Sequence, residues 1–368
     1  MRRVAQQAAP AALRHLGQSL WLDNITRDLL DHGTLRQYIE TFSITGLTSN
    51  PTIFDHAISH GTAYDHDIAV AGSGLTAEAL FFDLAVQDLQ RAADLFAPIH
   101  ARTGGVDGFV SLEVSPLLAY DTVATLAQAK MLHAKADRPN LFIKIPGTRE
   151  GLPAITEAIF AGIPVNATLL FSARQCAAVA DAYLCGLERR AAVGLSVDVR
   201  SVASLFVSRL DRAVAGKVPP VLRNTLGLAV AGHAYKTYRD GLETDRFQRL
   251  QNLGARPQRL LFASTGTKDK SAADTLYITG LAAPNTVNTM PEATLLDFAD
   301  HGIVADVLPR DGGDAHVVLA AHRHAGVDLD LLSQQLQSDG AREFAASWHG
   351  LLGAIETRRK AFAPMAFA

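Results

Sequence analysis

The chain has 368 residues, of which 48% are apolar and 19% charged, so wholesale disorder is excluded and a sizeable core is expected. Its 34 Lys and Arg stand against 37 Asp and Glu, a net charge of -3, which removes the electrostatic case for a dedicated nucleic-acid binder. Only two cysteines occur, Cys176 and Cys185, at a spacing that fits no zinc or redox motif, so a reducing compartment is expected and a disulfide scaffold is not.

The first residues, MRRVAQQAAPAALRHLGQSLWLDN, mix two arginines with several alanines as an organelle leader would. They lack a continuous apolar core and read as an ordinary N-terminal helix, and no apolar run nears the ~18 residues of a membrane span. Short apolar runs then alternate with longer helical patterns. The candidate strands are Leu20 to Asp23, Ser43 to Leu47, Gly108 to Val114, Leu141 to Ile145, Pro164 to Ala167, Val202 to Phe206, Arg259 to Ala263 and Thr286 to Asn288. Most are apolar on both faces, as parallel strands buried between helices and a core must be. Between them, Ala77 to Phe96, Thr122 to Ala136, Arg174 to Ala191 and Leu226 to Asp240 read as helices. This alternation predicts an α/β fold, a (β/α)8 TIM barrel rather than an open sheet. We expect one domain over 1–368, with a helical extension at 1–19 and closing and additional helices over 291–368. Two or three helices fit that last stretch, with Phe344 and Trp348 at i, i+4 as an apolar anchor.

Several motifs are weak. Gly72-Ser73-Gly74-Leu75-Thr76-Ala77 matches a dinucleotide fingerprint, but it follows AYDHDIAV, a helical pattern, and not a strand; a loop between helices is the better reading. His56 and His60 lack the glutamate of a zinc protease motif, and His322 with His324 makes no ligand pair. No phosphate-binding P-loop and no G-x-S-x-G occurs.

The informative residues are polar ones lodged in or just after apolar runs. Lys144 sits between two isoleucines in Leu141-Phe142-Ile143-Lys144-Ile145, and the run ends at once in Pro146-Gly147-Thr148. Burial disfavours the charged ammonium and favours the nucleophilic amine, which suits imine formation with a carbonyl; the bland alternative is a lysine snorkelling from an edge. Asp23 ends strand 1 and Glu113 lies near the end of strand 3, so a barrel would bring both to the mouth that holds Lys144. Asp23 could instead cap a helix, and Glu113 could be a plain ion-pair partner. Thr48-Ser49-Asn50 follows strand 2, and Asn166 with Thr168 follows strand 5. Ser204, Phe206 and Arg209 come at or after strand 6, then Ser264 and Lys268 after strand 7. A serine with Arg209 and Lys268 makes an anion pocket suited to a phosphate.

Those residues carry a family resemblance from Leu20 to about Trp348. The segments LWLDNITRD, GLTSNPTIF, SLEVSP, NLFIKIPGT, VNATLLFS, SVASLFVSRLD, ASTGTKD and NTVNTMP resemble, in this order, those of the transaldolase family, in its longer bacterial branch. The resemblance implies a class I, Schiff-base transferase with no metal and no organic cofactor. It implies transfer of a dihydroxyacetone unit from sedoheptulose 7-phosphate to glyceraldehyde 3-phosphate, in the non-oxidative pentose phosphate pathway. Lys144 would be the imine lysine, Glu113 with Thr168 the proton relay and Asp23 the base. Asn50 and Asn166 would hold the three-carbon unit, while Ser204, Phe206, Arg209, Ser264 and Lys268 would bind the rest of the substrate. The implied partners are small-molecule sugar phosphates, with neither nucleic acid nor membrane, in the cytoplasm; a homodimer is left open. Two positions depart from the pattern. Ser115 stands where many relatives have Asp, and Gly266 stands where many carry an arginine, leaving Lys268 as the nearest cation. The alternatives are a fructose-6-phosphate aldolase-like enzyme that releases free dihydroxyacetone, a metal-dependent aldolase, which would need a His/Glu cluster at the strand ends, and a non-catalytic sugar-phosphate-binding barrel.

Overall fold

The computed structural model describes residues 8–71 and 74–362. Eight parallel strands close into a barrel in chain order: β1 (Ser19–Asp23), β2 (Ile44–Thr48), β3 (Val110–Glu113), β4 (Leu141–Pro146), β5 (Val165–Leu170), β6 (Ser201–Phe206), β7 (Arg259–Ala263) and β8 (Val287–Met290). Strand β8 returns to pair with β1, Trp21 opposite Thr289, so the expected (β/α)8 barrel is found.

Large aromatic residues fill the lower half of the barrel. Phe109 stacks on Phe142 at 4.2 Å between ring centroids, and Trp21 leans on Phe142 at 6.1 Å. Gly46 belongs to the same fit, because a Cβ there would lie 2.6 Å from both the Trp21 indole and the Phe109 carbonyl. With that volume taken, polar side chains one layer higher occupy the C-terminal ends of the strands.

Strand ends differ from expectation where the backbone turns. Ser43 is a left-handed helix cap (φ 57°), so β2 starts one residue later. Gly108 (φ 84°) makes the tight turn before β3, where a Cβ would meet the His100 backbone at 2.4 Å. Strand β5 runs on to Leu170, with its pairing to β6 shifting between Ala167 and Leu170 and Leu169 at φ 59°. Thr168 therefore lies within a bulged strand and not after it.

The expected helices are Ala77–Arg102, which continues past Phe96 through Pro98, Thr122–Ala136, Ala173–Ala192 and Leu226–Gly241. Asp65–Ala71 is helical as its pattern suggests, while Gly72 and Ser73 of the glycine motif lie outside the described residues, as do residues 1–7 of the leader-like start. Ala8–Leu16 is the helix before β1. After β8 come three helices, Glu292–His301, Ala315–His324 and Leu329–Phe362. Among the described residues, no helix is long and apolar enough to cross a membrane.

The 34-residue final helix crosses the barrel mouth. Gln337 donates to the Gly147 and Leu169 carbonyls at 3.0 and 2.9 Å, tying the helix to the ends of β4 and β5. Trp348 packs against Phe81 and Phe82 at 5.0 and 5.4 Å, and Arg358 pairs with Asp65. Trp348 is thus the expected anchor. Phe344, though also buried, turns toward the mouth.

Candidate active site

Lys144 projects from β4 into the mouth, 4% exposed. Its Nζ donates to Glu113 Oε2 at 3.1 Å and to the Ser49 carbonyl at 3.1 Å, and it lies 5.6 Å from the Phe344 ring centre. The lysine is buried as expected, but it has a partner. The register explains the pair, since Glu113 on β3 stands directly opposite Lys144 on β4. Glu113 is itself buried, which pushes its carboxyl up; Lys144 draws it back and Asp23 raises it further. Such a carboxylate is well suited to accept a proton from the amine beside it. The other oxygen, Oε1, and the Thr168 hydroxyl are both buried without a protein partner. Buried polar atoms of this kind are satisfied by a water or a ligand.

Asp23 ends β1, where Thr48 Oγ1 donates to its Oδ1 at 2.8 Å and also lies 2.8 Å from the Thr289 hydroxyl. Burial raises the Asp23 carboxyl above its ordinary range, opposed chiefly by Lys144, then by the Thr48 hydrogen bond, Arg209 and Lys268. The helix-capping alternative is not what is found: Thr26 caps Arg27–Asp31, accepting from the Leu29 N–H. For Asn50 capping is found, because its Oδ1 accepts from the Ile53 N–H at 3.1 Å ahead of Pro51. Its side chain also lines the mouth. Asn166 is committed at both ends, donating to Ser111 Oγ at 3.1 Å and accepting from Ser204 Oγ at 2.6 Å. That rung joins β3, β5 and β6.

Arg209 follows β6 on the short helix Ser208–Val214. Its guanidinium lies 5.3 Å from the Phe206 ring centre and 5.9 Å from that of Phe344, and its Nη1 donates to Glu343 at 2.6 Å. Ser264, left-handed at φ 54°, places its hydroxyl 3.0 Å from Ser208 Oγ. Lys268 is exposed on the loop beyond β7.

These groups surround a cavity of about 640 Å³ at the C-terminal ends of the strands. Asp23, Asn50, Lys144, Ser204, Phe206, Arg209, Ser264 and Lys268 line it; Glu113, Asn166 and Thr168 do not, and Glu113 and Asn166 are joined to it by their bonds with Lys144 and Ser204. Thr48, named in the sequence only by its place after strand 2, also lines the cavity, as do Thr289, Asn24, His56 and Phe344, which the sequence did not mark as site residues. Local pattern excludes His56 from a zinc protease motif and makes Phe344 an apolar anchor, and only the crossing of the last helix brings Phe344 to Lys144. The His56–His60 pair stacks at 4.6 Å on an exposed helix face, while His322 is buried against Thr225 at 3.0 Å. Among the described residues, no group of three or more His, Cys, Asp or Glu is placed to hold a metal ion.

A buried lysine paired to one carboxylate, beside a second carboxylate and an arginine, is an arrangement for imine chemistry on an anionic carbonyl compound. The comparisons point the same way. A family model described as Transaldolase/Fructose-6-phosphate aldolase matches residues 20–355. The Transaldolase of Arthrobacter sp. (strain FB24) is 45% identical over 354 residues, covering 94% of this chain and 95% of its own. That of Parafrankia sp. (strain EAN1pec) is 46% identical over 351 residues, covering 92% and 95%. That of Mycobacterium tuberculosis (strain ATCC 25618 / H37Rv) is 44% identical over 360 residues, covering 95% and 96%. A match over nearly the whole barrel, at this identity and coverage, makes the chain a member of the transaldolase/fructose-6-phosphate aldolase family.

Proposed function

We propose that the chain is a transaldolase that moves a dihydroxyacetone unit from sedoheptulose 7-phosphate to glyceraldehyde 3-phosphate. The observation that carries this reading is the buried 3.1 Å pair of Glu113 and Lys144, with Lys144 lining the same cavity as Asp23 and Arg209. Full-length relatives named Transaldolase favour it over the aldolase and non-catalytic alternatives.

In this reading Glu113 takes a proton from Lys144, and the neutral amine adds to the ketose carbonyl at carbon 2. The carbinolamine loses water with Glu113 and Thr168 relaying the proton, which gives an iminium. Asp23 then removes the proton of the carbon-4 hydroxyl, the bond between carbons 3 and 4 breaks, and its electrons pass to the iminium nitrogen. Erythrose 4-phosphate leaves and the enamine stays, held by Asn50 and by the rung of Asn166 and Ser204. Its carbon attacks the carbonyl of glyceraldehyde 3-phosphate, Asp23 returns its proton to the new alkoxide, and hydrolysis of the imine frees fructose 6-phosphate. Arg209, Ser264 and Lys268 bind the phosphate, with Phe206 under the guanidinium, and so position the reacting carbons. Lys268 takes the place of the arginine that Gly266 does not supply. The same proposal includes a single barrel domain with terminal helical additions and a cytoplasmic setting. Light scattering on the purified chain decides whether it is a homodimer.

The test is reduction with borohydride in the presence of fructose 6-phosphate, followed by peptide mass spectrometry. A three-carbon adduct on Lys144, together with turnover that depends on an acceptor aldehyde, supports the reading. An adduct on another lysine, or turnover without any adduct, removes it.

A further inference from the structure

The arginine offered to the substrate phosphate already holds an anion supplied by the chain itself. Arg209 Nη1 donates to the Glu343 carboxylate at 2.6 Å, and Glu343 belongs to the helix Leu329–Phe362, which lies across the mouth. The contact depends on close packing. At Gly340, one turn earlier, a Cβ would sit 2.9 Å from the Leu169 side chain and 3.6 Å from Arg209 Nη1, so the helix passes close over both residues. The arginine side chain is 19% exposed and the glutamate 51%, so the cation is fixed between Phe206 and Phe344 while the carboxylate can swing. A second cation waits for it, because Arg212 Nη2 stands 3.8 Å from the other Glu343 oxygen and is 57% exposed.

We propose that Glu343 is an internal competitor for the phosphate, a carboxylate that occupies Arg209 in the free protein and must turn toward Arg212 when a phosphorylated substrate arrives. It rests on the reading of Arg209 as the phosphate ligand and extends it to specificity. A dianionic phosphate displaces the carboxylate through its greater charge, but its net gain is reduced by the contact that it breaks. An unphosphorylated donor leaves Glu343 in place and bears no such cost. Glu343 therefore narrows the advantage of phosphorylated over unphosphorylated donors, and it acts from the final helix, a different part of the chain from the barrel strands.

The experiment is calorimetric titration of the full-length protein with inorganic phosphate, comparing wild type with Glu343→Gln. Glutamine keeps the size and polarity of an exposed side chain, so folding is not at stake. Phosphate should bind about three- to tenfold more tightly to the variant, the range of a half-buried charge pair removed from competition. The gain should vanish when Arg209→Ala is added. Unchanged or weaker binding in Glu343→Gln would overturn the proposal, since a glutamate that merely positions Arg209 gives weaker binding when lost. A gain that survives Arg209→Ala would also overturn it, because the effect would then not pass through the guanidinium. With substrates, the ratio of kcat/KM for fructose 6-phosphate over fructose should rise in the variant by a similar factor. If neither donor is turned over by either protein, the proposed activity fails, while the phosphate titration still decides the role of Glu343.

Discussion

Replacing Glu113 by glutamine removes one charge from a pair in which both side chains are about 5% exposed or less, and the structure sets the size of the response. Taking away one partner of such a pair costs about 3–5 kcal/mol, because the other charge is left in a poorly solvated place. Urea unfolding of both proteins at pH 7 measures the gap. A gap under about 1 kcal/mol would refute the claim that this carboxylate compensates the lysine charge. The same variant should transfer poorly and lose a larger share of enamine as free dihydroxyacetone, read by a coupled assay with and without erythrose 4-phosphate. Full transfer with an unchanged partition would make Glu113 structural.

Arg209→Ala should lower kcat/KM for phosphorylated donors by about 10- to 100-fold, the value of a charge-assisted hydrogen bond, and spare unphosphorylated dihydroxyacetone donors. Equal losses for both donor types would make Arg209 a structural residue. For Asp23, burial raises the carboxyl and the proposed role needs it ionised, so the acidic limb of the kcat profile should lie above the ordinary aspartate value of ~3.9. Because its folded value is raised, Asp23 should also make folding stability fall as pH rises through that interval, a slope that Asp23→Asn removes. A limb that stays in place in Asp23→Asn would assign it to another group.

The barrel was legible because parallel strands buried on both faces are continuous apolar runs, and the exceptions within those runs are the mouth. Lys144, Glu113 and Asp23 stood out for that reason, and the pairing of β3 with β4 places the first two opposite each other. Local patterns failed where the third dimension decides. Phe344 and Trp348 share one helix face, yet one rests on Phe81 and the other covers Lys144 and Arg209. No spacing within the final helix tells which barrel strand it will cross. Asn166 reads as a ligand from its place near the end of strand 5, while its bonds to Ser111 and Ser204 come from neighbouring strands that no local pattern names. The boundary errors at Ser43 and Gly108 have a common source, since positive φ values end or delay strands without changing the apolar pattern.

The closure of β1 by β8 fixes an order of events during synthesis. Until residues 287–290 have left the ribosome, β1 has no partner on one side and the nascent sheet keeps two open edges. Lys144, Glu113 and Asp23 are all made by then, but Phe344 and Glu343 are more than fifty residues further on, within the last helix. A chain cut after β8 would carry every group assigned here to bond making and still lack the roof over its amine. Proteolytic loss of the C-terminal helix would thus bare Lys144, by removing the Phe344 ring that lies 5.6 Å from its Nζ.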